Sequence, residues 1–538
     1  MLRISALVIL ILLHMSPLLG VAAEDPVLIQ TRLEIGKNNF SQAELALRGY
    51  MQTHDQSSYA SYLMGLALAG EGRRAESDEY LARALKLNAN LSIAWRRLAM
   101  NAFEAHDFDH AKHYLGLFLQ KGPNDQLANV IAGQIALSQG DCALAVAHFD
   151  RSTSVVSHGP QLQLLFAQAL LCSGHGQRAG ALLSGIHSKD PTILFQAGVL
   201  LARAGRLKEA LEALEEAGKG YPDQPAVKFN IALVHFQMQQ YAATISVLTG
   251  MIGGGARDAD VYSLLGDSYR HLGQLREALG AFETAESLAP GELQPAVDLL
   301  GLYIDLNDTQ RGLPFADTAL KQHPEAYELF ALRAALLSLS YNSALAEADY
   351  RKAIQLSPTT GWLYTSLASL LMFDEHRPKD AQDLLHSHLR DCGDYYCYFL
   401  YARALKMAGM DSDRAMQAKA VECLKRSIRL NPAFAPARDS LGALYQARGE
   451  WAEALLEYQI ATQLDPTDSR AYYHLYQLYA RTGAPAKARQ MLALATKLNV
   501  AERTQRAVAV PRDNADALAR QAVLRGNETI ERQTSTRP

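Results

Sequence analysis

No stretch of this 538-residue sequence keeps the strict apolar–polar alternation of a half-buried strand, and no long run of one charge interrupts it. The first absence argues against a sheet-based fold. The second, at a net charge of −4, argues against a nucleic-acid protein, which carries a basic stripe. Glycine-rich phosphate loops behind a strand, nucleophile elbows and His-Glu-x-x-His pairs are missing as well, so the common signatures of phosphoryl transfer, acyl transfer and zinc hydrolysis are not there. The carboxylates are scattered over polar faces, where solvation explains them. No convergent set of acid, base and nucleophile stands out, which predicts a protein that is not an enzyme and uses no cofactor or metal. Cysteine is scarce, at five, and tryptophan scarcer, at three.

What is present is a period. Small residues return every thirty-four positions at Thr31, Gly65, Ala99, Gly133 and Ala167, then from Gly198 through Ala232, Gly266, Leu300, Ala334, Ala368 and Ala402, then at Gly442 and Tyr476. Twelve residues later a second register falls on Ala43, Ser77, Ala111, Ala145, Ala179, Ala210, Thr244, Ala278, Gly312 and Ala346, and again on Ala454 and Ala488. Within each half the apolar residues step by three and four, the helical spacing. Gly72, Gly140, Gly205, Gly273, Gly409, Gly449 and Gly483 separate the halves, where a left-handed turn suits glycine. Pro222, Pro290, Pro324, Pro358, Pro432 and Pro466 follow the second half and stop it. The unit is helix, tight turn, helix, break. Its small residues let two helices approach closely, with Leu265, Tyr269 and Phe282 filling the space around Gly266 and Ala278.

The cleanest units run Tyr262, Leu265, Gly266, Tyr269, Ala278, Phe282, Ala285, Pro290 and Leu441, Gly442, Tyr445, Ala454, Tyr458, Ala461, Pro466. This pattern resembles the tetratricopeptide repeat, and Trp95 fills that family's tryptophan position once. The resemblance covers about fourteen units over residues 24–500. It implies an all-α, right-handed superhelical solenoid of stacked antiparallel helix pairs, of an exported bacterial type, with a concave groove that binds protein or peptide partners. The period slips twice. Ala167 to Gly198 is three residues short, which predicts a clipped second helix at Ala179 to Ser184. Ala402 to Gly442 is six long, with the excess near Met410 to Ala418. Gly253-Gly254-Gly255 is a loose connection.

Residues 1–23 differ. Met1-Leu2-Arg3 is basic, Ile4 to Leu13 is apolar, and Val21-Ala22-Ala23 is a small-residue cleavage site. This predicts a signal peptide removed after Ala23, no membrane span after cleavage, and a periplasmic or secreted protein. An uncleaved anchor is the alternative. Asn39-Phe40-Ser41 and Asn90-Leu91-Ser92 would accept glycans in a eukaryotic pathway. At the other end, Ala515, Leu518, Ala519, Ala522 and Val523 form a short amphipathic stretch suited to capping the array, ahead of a polar, disordered tail; together these make up residues 501–538.

Export makes cysteine pairing a question. Cys142 opens one second helix and Cys172 closes the next first helix, a placement that suits a bond across neighbouring repeats. Cys392 and Cys397 flank a repeat boundary and suit a local one. Each pair stands equally well as reduced, buried thiols, and Cys423 is left for the core. His386 and His388, two apart on a helix, point to nearly opposite sides. His106, His110 and His113 are better spaced but lack a further ligand. Exposed histidines explain both groups.

In the family this chain resembles, positions two, five, nine and twelve of each first helix line the inner groove. Those positions hold Phe195, Phe229, Phe236, Asp267, Arg270, Trp362, Tyr396, Phe399, Arg403 and Lys406, with Phe373 one place beyond. Aromatics beside arginine are typical interface anchors; for Phe229 and Phe236, burial by neighbouring first helices is an equal alternative. The family's lysine-and-asparagine clamp for terminal carboxylates, at positions five and nine, occurs in no unit. The expectation is a scaffold for protein partners in cell-envelope assembly: polysaccharide export, pilus assembly or outer-membrane biogenesis. The competing expectation is a carbohydrate-binding accessory of a polysaccharide-exporting or -modifying machine.

Overall fold

The computed structural model describes residues 25–389, 394–410 and 413–506, with side chains to residue 500. The leader, the capping stretch and Cys392 lie outside the described residues. The described residues hold α-helices and no strand. The chain divides at Gln239 into two compact units.

In the first unit α1 (Pro26–Gly36) pairs with α2 (Phe40–Met51), α3 (Ser58–Gly70) with α4 (Arg74–Leu87), and α5 (Ile93–Glu104) with α6 (Phe108–Lys121). Then α7 (Gln126–Ser138) pairs with α8 (Cys142–Asp150), followed by the single turn α9 (Thr153–Val156). Next come α10 (Pro160–Cys172) with α11 (Gly176–Ser184), α12 (Pro191–Arg203) with α13 (Leu207–Ala217), and α14 (Gln224–Gln237) at the unit's end.

The second unit opens with α15 (Tyr241–Gly253). Its pairs are α16 (Ala259–His271) with α17 (Leu275–Leu288), α18 (Leu293–Asp305) with α19 (Thr309–Gln322), and α20 (Tyr327–Leu339) with α21 (Ser343–Leu356). They continue with α22 (Gly361–Ser369) against α23 (Pro378–His388), α24 (Tyr395–Met407) against α25 (Arg414–Leu430), α26 (Ala435–Ala447) against α27 (Trp451–Leu464), and α28 (Ser469–Arg481) against α29 (Pro485–Arg506). Within each unit every pair packs on the next, because one amphipathic hairpin cannot bury its own apolar face.

The small-residue registers are the crossing points. A Cβ added at Gly65 would lie 2.7 Å from Leu81 Cγ, at Gly198 2.7 Å from Leu214 Cγ, at Gly266 2.6 Å from Phe282 Cε1, and at Gly442 2.8 Å from the Tyr458 ring. The large residue sixteen places on therefore fills the space left by the missing side chain. Members of the second register are buried, and Ser77 earns its place among alanines by donating from Oγ to the Gly65 carbonyl at 2.7 Å.

The turn residue is left-handed in every repeat. Glycine takes it at Gly72, Gly140, Gly174, Gly205, Gly273, Gly409, Gly449 and Gly483, with φ of 73 to 100°. Elsewhere Asn38, His106, Gln239, Asn307, Tyr341 and His376 take it at φ of 52 to 63°. Gln239, the residue at the division between units, keeps the same register as Gly205 and Gly273. The division therefore leaves no mark in the period.

The irregularities have local causes. α11 is nine residues long against fourteen in α4, which absorbs the short spacing before Gly198. α25 reaches seventeen residues, so part of the long spacing before Gly442 becomes helix rather than loop. A third irregularity escapes the first register. α22 runs into a π-turn, Leu370–Asp374, which adds one residue. The left-handed turn then falls at His376 instead of 375, and the buried alanine of the second helix is Ala381.

Candidate functional site: an aromatic and cationic face in the second unit

The first helices α22 and α24 lie side by side, and their aromatic residues gather with Tyr327 at the start of α20. Trp362 is half-buried, with its ring 6.5 Å from that of Tyr327 and tilted by 48°. The π-turn places Phe373 under the guanidinium of Arg403, 4.8 Å from the ring centroid. Arg403 also lies 5.7 Å from the Phe399 ring. Both contacts fall within cation–π range. Tyr396 is half-buried 5.9 Å from Phe399, while Phe434, ahead of α26, meets Phe399 edge-on at 5.1 Å and Tyr395 at 4.9 Å. Asp394 caps α24 by accepting from the Tyr396 amide at 3.2 Å, and burial pushes its carboxyl above the usual range. Lys406 is exposed one turn beyond Arg403. Ring edges with two cations on one helical face can take apolar and anionic side chains together.

A second polar arrangement joins α16 to α18. Arg270 Nε donates to Asp305 at 2.5 Å, and the Gln294 amide donates to Asp298 at 2.7 Å. Asp267 stands beside Arg270 and Asp298. Burial pushes the Asp267 carboxyl up to about 8, with Asp298 adding to the rise and Arg270 opposing it. Asp298 is pushed up to about 6, again by burial, against hydrogen bonds from Gln294 and Ser263. One guanidinium thus serves three carboxylates. This seam binds helix to helix more than it invites a ligand.

Three of the expected groove residues are not surface anchors. Phe195 is 9% exposed and stacks on Tyr221 at 4.4 Å; Phe229 is 7% and Phe399 5% exposed. These rings are core. Phe236 is half-buried in the first unit. Of the ten, Trp362, Tyr396, Arg403 and Lys406 come together. The sequence reading passed over Tyr327, Tyr395 and Phe434, because they stand at or just before the first position of their units, outside the stripe. Aromatics recurring at that start position are the signal that would have found them. Asp298 and Asp305 were missed because they face positions nine and twelve of the preceding helix with an offset that one repeat cannot display.

Cys142 and Cys172 are disulfide-bonded, with Cα atoms 5.9 Å apart, tying the start of α8 to the end of α10. Cys397 is buried and disulfide-bonded; Cys392, with which it was paired by sequence, lies outside the described residues. Cys423 is a buried free thiol that burial pushes up to about 11. His388 Nε2 lies 3.0 Å from the Pro358 carbonyl, and His110 Nδ1 lies 2.8 Å from Asp107. Among the described residues no three His, Cys, Asp or Glu side chains gather as a metal site, and no helix is long and apolar enough to cross a membrane.

Comparison with protein families agrees with this architecture. Family models described as tetratricopeptide repeat match residues 96–154 and 195–253, and residues 58–91 and 259–292. Cellulose synthase operon protein C of Pseudomonas fluorescens (strain SBW25) is 22% identical over 313 residues, covering 54% of this chain and 24% of that protein. The chain thus spans about a quarter of that relative's length. A crystal structure of a tetratricopeptide repeat protein from Parabacteroides merdae superposes with a TM-score of 0.40 at 17% identity, over 48% of this chain and 99% of that one. The crystal structure of MamA superposes at 0.28 with 22% identity, over 32% of this chain and 96% of that one. With repeat models matching in each unit, on helix pairs that recur every thirty-four residues, the chain is built from tetratricopeptide repeats, whose stacked hairpins serve as scaffolds for protein–protein interaction.

Proposed function

We propose that this protein is an exported, non-catalytic scaffold in cell-envelope assembly, and that it captures protein partners on the face built by Trp362, Phe373, Tyr396, Arg403 and Lys406. The observation that carries this reading is the contact of Arg403 with Phe373 and Phe399 beside half-buried tryptophan and tyrosine. Aromatic and arginine side chains of this kind dominate the energetics of protein interfaces. The leader at residues 1–23 supports export. The name of the Pseudomonas relative supports polysaccharide export over pilus assembly or outer-membrane biogenesis as the setting.

That same name favours the second reading, a carbohydrate-binding accessory of the same machinery. Ring geometry weighs against it. Sugar rings lie on broad, exposed aromatic faces, whereas Tyr395 and Tyr396 meet at 71°, Tyr396 and Phe434 at 75°, and Phe399 and Phe434 at 90°. Such edge-to-face packing leaves notches for side chains rather than a platform.

Pull-down from solubilised cell envelopes tests the proposal. Trp362→Ala and Tyr396→Ala are expected to weaken partner capture about tenfold or more with the helical content unchanged. Equal capture by both variants rules the face out. Intact mass of the exported protein is expected to begin at Glu24; a retained Met1 would make the leader an anchor.

A further inference from the structure

We infer that this face selects polypeptide segments carrying a carboxylate next to an aromatic or aliphatic side chain, a refinement that rests on the scaffold reading above. The argument is charge distribution. The protein as a whole is anionic, at −4. Yet α24 carries Arg403 and Lys406 and no acid, and α25 carries five Lys and Arg against Glu422 alone. In the same unit α16, α17 and α18 hold seven Asp and Glu against two Arg. The α28–α29 hairpin has the same balance; what distinguishes α24 is the aromatic face beside its cations.

The α24 part of the patch coincides with the aromatic face. Arg403 and Lys406 stand three apart and so project from one side of α24. The Phe373 ring holds the Arg403 guanidinium in place, and the neighbouring α22 contributes Trp362 and no charged residue. On α25, Lys419 lies over the Tyr401 ring and Lys425 over the Tyr445 ring. Fixed cations of one sign add their fields over about 8–10 Å at physiological salt, and such a field steers and orients an oppositely charged partner. The edge-to-face rings leave apolar notches beside the cations. An anionic side chain adjoining an apolar one meets both requirements at once; a basic or purely polar segment meets neither.

Selection of phage-displayed random peptides on the full-length protein tests this, followed by anisotropy on the selected peptides and on versions with Asp and Glu changed to Asn and Gln. Selected sequences are expected to place Asp or Glu within two residues of Trp, Phe, Tyr or Leu. Their amide versions are expected to bind about tenfold more weakly. Arg403→Gln with Lys406→Gln is expected to abolish that difference, while Trp362→Ala weakens both forms. Lys406→Gln alone, at an exposed site, guards against misfolding of the double variant and is expected to cost roughly threefold. Selection of basic or uncharged peptides that Trp362→Ala releases would overturn the acidic preference and leave the scaffold reading standing. Failure to select any peptide, with alginate bound instead and lost in the same variants, would overturn both.

Discussion

Gly266 and Gly280 separate packing from propensity at the scale of one hydrogen atom. A Cβ at Gly266 would collide with the buried Phe282 ring, whereas one at Gly280 meets nothing within 4 Å. Gly266→Ala is expected to destabilise the second unit by about 1–3 kcal/mol through overpacking. Gly280→Ala should be neutral or stabilise by up to about 1 kcal/mol, as expected for alanine in an open helix position. Urea unfolding of the two variants distinguishes them. Asp267 gives a second residue-scale test. Its carboxyl titrates near 8 in the folded chain and near 4 when unfolded. A raised folded value means full stability below about pH 4, loss as pH rises from there to about 8, and no further loss above. Asp267→Asn is therefore expected to raise the melting temperature by about 2–4 °C at pH 8 and hardly at all at pH 4. A larger gain at pH 4 than at pH 8 would contradict the assignment. Small packing residues such as Gly266 were readable from the sequence because the period names them directly. The fate of Phe195, Phe229 and Phe399 was not, because a period places a ring on its own helix but does not say whether the neighbouring helix covers it.

Among the elements, the turns and the one described cystine pair carry most of what can be tested. Tyr341 is 92% exposed and holds the left-handed turn at φ 60° where most repeats use glycine. Such a backbone costs a side-chain-bearing residue about 1–2 kcal/mol, so Tyr341→Gly is expected to stabilise the α20–α21 hairpin by about 1 kcal/mol in thermal melts. The Cys142–Cys172 bond closes a loop of 30 residues between α8 and α10. Its removal by Cys172→Ser is expected to cost about 2–4 kcal/mol, confined to the first unit in hydrogen exchange; protection lost equally in the second unit would count against this. Helix and turn positions followed from the repeat. The π-turn did not, since one inserted residue in α22 is repaid by one fewer before Gly409, and Ala368 to Ala402 keeps the full period. The only trace is the second register, which skips from Ala346 past Ala381. That single inserted residue also moves Phe373 onto the stripe shared with Trp362, where it meets Arg403.

For the molecule as a whole, two compact units divide the work unevenly. The first contributes hairpins with phenylalanines turned into the core and a disulfide between neighbours. The second contributes the aromatic and cationic face. Repetition explains why this separation is hard to read from sequence: every repeat repeats the same packing code, and function resides in the few positions that the code leaves free. Site-specific photocrosslinking in living cells is the most direct test of the central claim. A photoreactive residue at Lys406 is expected to give discrete protein adducts that Trp362→Ala abolishes, while the same probe at Leu345, which is 54% exposed, gives none. Adducts at Leu345 but not at Lys406, or adducts at Lys406 that persist with Trp362→Ala, would contradict the account.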